Sequence, residues 1–246
     1  MSQVQNLFEV APGTELIGEE ITIFGDVHKD SLIDTHKLFV KGIIHSQTSQ
    51  FTKYAQIQEH HGMLRCHEAH INTLHGGEVH ASNLTIDTCL GGKIYVQDVT
   101  IKNVSGQVQI YASNSITIES VNDSNNSFNI NYQEVPILLS KIELIEEDIQ
   151  ELVFLLEKAK VNNAPSQKDI EGEIQRLRKE LTFIEESSKS ARISITNAVE
   201  DGNFISFTIK GHTIAYTTQN NCYTPFHLEC TNTIVKLLPT QTIITF

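Results

Sequence analysis

The chain has 246 residues, with 18 Lys and Arg against 30 Asp and Glu, a formal charge of -12 at pH 7 and no Trp. That balance argues against a nucleic-acid binder, because neutralising phosphates needs a surplus of cations on one face. No stretch reaches the roughly 18 consecutive apolar residues of a membrane span, and Met1 to Val10 lacks the basic start and apolar core of a secretory signal, so a soluble, acidic, cytoplasmic protein is expected.

From the N-terminus, the first feature is a glycine beat. The windows Gly25-Asp26-Val27-His28, Gly42-Ile43-Ile44-His45, Gly62-Met63-Leu64-Arg65, Gly77-Glu78-Val79-His80, Gly92-Lys93-Ile94-Tyr95 and Gly106-Gln107-Val108-Gln109 each place an aliphatic residue two after the glycine. They are spaced 17, 20, 15, 15 and 14 residues apart. Ile71, Ile86, Ile101 and Ile118 form a second aliphatic set, and Leu74, Cys89, Val104 and Val121 a third. Within each unit the apolar residues alternate, as in Leu64/Cys66, Val79/Ala81 and Ile94/Val96, which is the period of a strand. Such a unit cannot bury its apolar face alone. Stacking the units as coils of a right-handed parallel β-helix buries it, with successive coils about 4.8 Å apart. An open sandwich explains the alternation but not the register of the windows. Cys66 and Cys89 fall in the apolar columns, and Phe226, Leu228 and Cys230 alternate like one face of a strand. All four cysteines, Cys222 included, read as reduced thiols serving as small hydrophobes.

The beat ends near Ile130, after an Asn/Ser/Asp-rich segment, Asn122 to Asn129, that reads as a loop. Leu138, Ile142, Ile145, Ile149, Leu152, Leu156 and Ala159 then follow at steps of 4, 3, 4, 3, 4 and 3, an a/d seam on a helix. Pro136 suits the first helical turn. After Val161-Asn162-Asn163-Ala164-Pro165, where Ser166 and Asp169 resemble a capping box, the seam returns as Ile170, Ile174, Leu177, Leu181 and Ile184. Two arms of about 24 residues, on the order of 36 Å each, are expected to form an antiparallel coiled-coil hairpin.

Beyond Ser190 the alternation resumes, in Ile193/Ile195 and in Ile205/Phe207/Ile209 after the turn Asp201-Gly202-Asn203. The expected organisation is a β-helix with an N-terminal cap over 1–133, an inserted hairpin over 134–190, and a return of the β-helix with a C-terminal cap over 191–246.

This order resembles the C-terminal part of the flagellar assembly protein A (FapA-type) family. The resemblance rests on the coils from Gly25 to Val121, the heptad hairpin from about Pro136 to Lys189, and Ala191 to Ile195 through Val199-Glu200-Asp201-Gly202 to Ile205-Ser206-Phe207. It covers roughly residues 20 to 220. That family's further N-terminal domain is expected to be missing, since about 20 residues precede the first coil. Bactofilin cytoskeletal proteins and the C-terminal domain of the septum-site protein MinC are wider relatives of the same β-helix without the hairpin. The resemblance implies a bacterial scaffold for flagellar assembly or cell-pole organisation, working through protein partners and carrying out no reaction.

Eleven histidines are the one chemical signal, six of them between His60 and His80. In a 15-residue register His60 stacks under His75. His28, His45 and His80 share the outward column of the windows with Arg65 and Tyr95, and no acid shares it. A surface ladder, losing stability as stacked imidazoles protonate, is favoured over a metal site. Glu68, Glu78, Asp87 and Asp98 form no tight column, so a carbohydrate-active enzyme ranks last, behind a bactofilin-like polymer. No catalytic, cofactor-binding or metal-ligating residue is assigned, and no cofactor. Protein partners through the hairpin, and a homo-oligomer, are the expected associations.

Overall fold

The computed structural model describes residues 4–161, 167–186, 190–209, 211–219, 226–231, 234–238 and 242–245. It is mainly β, and the strands wind a solenoid of about seven turns. The first strands are β1 (Val4–Leu7), β2 (Glu15–Ile23), β3 (Leu32–Ile44), β4 (Ser49–His60), β5 (Met63–Arg65) and β6 (Glu68–Leu74). They are followed by β7 (Glu78–Val121), which runs through several corners without a break, and by β8 (Ser127–Ile130). Every pairing among β1 to β8 is parallel.

Register follows from which side chains must face inward. Ile23, Val40, Ile57, Ile71 and Ile86 lie over one another in successive coils, and all are buried. Ile21, Leu38, Ala55, Ala69 and Leu84 form a second column, its alanines matching the narrow core. Leu64 lies over Val79. The Lys93 N–H to Gly77 bond repeats the Glu78 N–H to Gly62 bond one coil on, which sets Ile94 over Val79. Cys66 and Cys89 are buried free thiols in this core, and burial pushes both thiols up to about 12. Cys222 lies outside the described residues, and of Cys230 only the backbone in a later strand is described.

The six glycine windows are not one column. Val27 pairs Ile44, and Ile44 pairs His60, so the windows at Gly25 and Gly42 flank one corner. Those at Gly62, Gly77 and Gly92 begin the next face. The 20-residue step between Gly42 and Gly62 is the jump between these columns. Both columns need glycine for the same reason. A Cβ on Gly42 would collide with the Gly25 backbone, and one on Gly77, whose φ is +78°, with the Gly62 carbonyl.

After β8, a 3-10 turn (Tyr132–Glu134) leads to α1 (Pro136–Val161) and α2 (Gln167–Glu186). Val135, Leu138, Ile145, Leu177 and Ile184 are buried between the helices, with Ile142, Ile149, Leu152 and Leu181 packed against them. Lys141 near the start of α1 pairs with Glu180 near the end of α2, and Lys160 with Glu171, so the helices run antiparallel. The sequence position Ser166, expected in a capping box, lies outside the described residues. Among those residues no helix is long and apolar enough to cross a membrane.

The helices are inserted within a coil, at a corner. β8 lies on Gln109 to Ala112, while β9 (Arg192–Val199) lies on Ser115 to Val121, so the two complete one turn between them. The segment expected as a loop up to Asn129 already holds β8, with Phe128 buried. β10 (Phe204–Ile209) continues the parallel stack on β8. The parallel pattern then stops. β11 (His212–Thr217) folds back antiparallel on β10, and β12 (Phe226–Thr231) lies antiparallel on β9. β13 (Ile234–Leu238) and β14 (Thr242–Thr245) extend this as a meander. Such a change of direction ends a repeat that would otherwise offer a long open edge.

Candidate functional site

The corner after β4 and β6 gathers the histidines, and not in the column that the glycine windows suggest. His28, His45, His61 and His75 each follow the inward residue of the same column, Val27, Ile44, His60 and Leu74. Their backbone N–H groups bond to the coil beneath, as in His61 to Ile44 and His75 to His60. This sets successive imidazoles one coil apart. The His28 and His45 rings stack at 5.2 Å and 7°, those of His61 and His75 at 4.6 Å and 10°.

His80 belongs to the next face, over Arg65, which itself lies over Phe51. The His80, Tyr95 and Tyr111 rings stack there at 4.9 and 5.2 Å, and the Arg65 guanidinium sits over the Phe51 ring. The expected His28/His45/His80 column is thus two columns, because the windows change phase between Gly42 and Gly62. Nor does His60 stack under His75: His60 points into the core, and His61 takes the outward place.

Carboxylates stand beside both columns, supplied from a neighbouring position that the column reading did not weigh. At the corner the residue preceding the inward position supplies them. Glu9 pairs with His28, Asp26 with His45 at 3.7 Å, and Glu59 with both His61 at 2.9 Å and His75 at 3.2 Å. On the next face Glu78 accepts from His80. A carboxylate beside each ring offsets the mutual repulsion expected of a protonated ladder. The other coil acids are engaged separately. Asp87 holds Lys102 at 2.7 Å, and Asp98 accepts from Asn114 and Ser115.

His60 is the unexpected member of the corner. Its Nε2–H donates to the Gln50 side-chain oxygen, Oε1, at 3.1 Å, deep in the core. His60 Nδ1 and Gln50 Nε2 have no hydrogen-bond partner among the described residues. Burial, with the neighbouring His61 charge second, pulls the His60 pKa down to about 3, so the ring is neutral inside the solenoid. One further polar ladder escaped the sequence reading. Asn126 and Asn203 are buried on neighbouring coils; the Asn203 side-chain oxygen accepts from the Asn126 backbone and amide, and its amide donates to the Asp123 and Glu200 carbonyls. The turn Asp201-Gly202-Asn203 and the Asn/Ser/Asp-rich segment around Asn126 were the signals that could have pointed to it.

Beside His61 the surface opens into a groove lined by Gly62, Gly76, Gly77 and Gly92 together with Met63, Glu78 and Lys93. The corner therefore offers imidazole and carboxylate donors at the rim of an accessible groove. Comparison with protein-family models, with curated proteins and with solved structures found no match.

Proposed function

We propose that the chain is a non-enzymatic, cytoplasmic scaffold of the kind used in bacterial flagellar assembly or cell-pole organisation. In this reading a right-handed β-helix presents α1 and α2, as an antiparallel coiled-coil arm, to a protein partner. The order of parts supports it: glycine-cornered coils, a helix pair, then a strand pair around the Gly202 turn, as in the FapA-type family that the sequence resembles.

The observation that carries the docking role is the outer surface of α1. The inner seam is satisfied between the helices, yet Leu144 is 62% and Leu155 42% exposed, with Phe154 beside them at 55%. Leu144, Glu147, Glu151 and Leu155 succeed one another at three- and four-residue steps, which is one stripe of a helix. Apolar side chains left in water beyond the needs of the seam favour association by about 25 cal/mol per Å² covered. The carboxylates between them select a basic, amphipathic partner helix.

Capture with the intact chain, and with a chain in which residues 136–189 are replaced by a short turn, tests this reading. The intact chain is expected to retain a flagellar or pole component, and a peptide from that component's basic segment to bind with salt-sensitive affinity. Leu144→Glu with Leu155→Glu should abolish the binding. Partners held equally well without the helices would overturn the arm. A bactofilin-like polymer is the second reading, favoured by the first coil, where β1 pairs, among the described residues, only with β2 and Val4 and Phe8 are exposed. Filaments by electron microscopy would promote it.

A further inference from the structure

Glu59, His61 and His75 are, among the described residues, the one group whose three donor atoms lie within 4.8 Å of one another. The fold sets the spacing. Glu59 and His61 flank the inward His60 on one coil, and His75 follows Leu74, which lies over His60 on the next. His61 precedes Gly62, and His75 precedes Gly76 and Gly77; at Gly62 and Gly77 a Cβ would strike the coil beneath. The backbone positions that carry the two rings are therefore held one coil apart.

Two of the three donor–donor edges are already close to those of a coordination polyhedron. One Glu59 oxygen is 2.9 Å from His61 Nε2 and 3.2 Å from His75 Nε2. A tetrahedral ion with bonds of about 2.0–2.1 Å has donor–donor edges of about 3.3 Å. All three side chains are partly exposed, and His61 borders the groove lined by Gly62, Gly76 and Gly77, which gives an ion its route in and a fourth ligand its place. By contrast, His28 and His45 each face a separate carboxylate, Glu9 and Asp26, so their donors diverge.

We infer that Glu59, His61 and His75 bind one divalent transition-metal ion, zinc or cobalt in class, at the solenoid corner. Both imidazoles coordinate through Nε2 in the tautomer that carries the proton on Nδ1. His75, the outer ring, tilts from its parallel stack to meet the ion. The Glu59 oxygen that accepts from both rings becomes the third ligand. Two imidazoles and one carboxylate suit zinc or cobalt, whereas calcium and magnesium take oxygen ligands.

The test uses the full chain, free of any affinity tag and stripped with chelator, titrated with Co(II) and Zn(II). One equivalent of Co(II) should produce the visible absorption of a low-symmetry nitrogen–oxygen site, and Zn(II) should displace it. His75→Ala and Glu59→Gln should each weaken binding by about tenfold or more, while His28→Ala leaves it unchanged. Circular dichroism checks that each variant keeps its strands, and either ligand variant suffices for the reading. Absence of saturable uptake by the unmodified chain overturns the inference. So does uptake that both ligand variants retain in full.

Discussion

At the scale of single residues, His60 and Gln50 stand out, because they are polar side chains in an aliphatic interior. Gln50 lies between Ile33 and Leu64 in its column, and His60 between Ile44 and Leu74. A buried donor or acceptor without a partner costs about 1–3 kcal/mol, whereas replacing both members of a pair by apolar groups is close to neutral or stabilising. Gln50→Leu alone, which also strips the His60 ring of its acceptor, should therefore lower stability by about 1–3 kcal/mol. Gln50→Leu with His60→Leu should recover it, as read by chemical denaturation at pH 7 with chelator present. A double variant no more stable than the single would contradict the account. The same ring sets an acid limit. Its folded pKa, about 3, lies below the ordinary 6.5, so between these values the unfolded chain binds a proton that the folded chain refuses. The stability due to neutral His60 is complete above pH 6.5 and is lost as pH falls toward 3, by up to about 1.4 kcal/mol per unit. The double variant should lack that component, so the gap between the two chains widens as pH falls through this window. A constant gap from pH 7 to pH 4 would refute it. Sequence could not distinguish His60 from His61, because a one-residue change of register exchanges the inward and outward faces of a strand.

At the scale of elements, the helices and the coils have separate interiors. The seam of α1 and α2 forms one buried cluster, and the coil columns form another. Leu177→Ala removes a buried side chain from the seam alone, at a cost of about 2–4 kcal/mol. Hydrogen exchange should then quicken at amides of α1 and α2 while those of β3, β4 and β7 stay protected. Equal acceleration throughout would mean that the two interiors fold as one. The helices were legible because a 3.6-residue period with steps of three and four has no rival reading over seven turns. The strands after the helices were legible as strands, but their direction was not. Ile193/Ile195 and Phe226/Leu228 alternate alike, and alternation carries no information on whether a neighbour runs parallel or antiparallel. β9 continues the stack on β7, while β12 lies antiparallel on β9.

At the scale of the whole molecule, the glycine beat established that the chain winds, and burial established around what. The beat misled on the histidines because its glycines stand before the corner in the first coils, at Gly25 and Gly42, and after it in later coils, at Gly62, Gly77 and Gly92. A single spacing list merged them. Only the pairings separate Gly42 from Gly62 and move His80 away from His28 and His45. The candidate metal group was hidden for the same reason: Glu59 and His75 meet only once the 14-residue register between β4 and β6 is known. The solenoid depends on that register, with each coil lying parallel on the last. Disulfide trapping reads it directly. Gln56, His70 and Thr85 are outward residues in vertical succession, and neighbouring coils about 4.8 Å apart fall within the 4.4–6.8 Å that a disulfide spans. With Cys222 and Cys230 replaced by Ser, and Cys66 and Cys89 left buried, Gln56→Cys with His70→Cys and His70→Cys with Thr85→Cys should each cross-link under mild oxidation. Gln56→Cys with Thr85→Cys, two coils apart, should not. Cross-linking of the third pair in place of the first two would contradict the stacked solenoid.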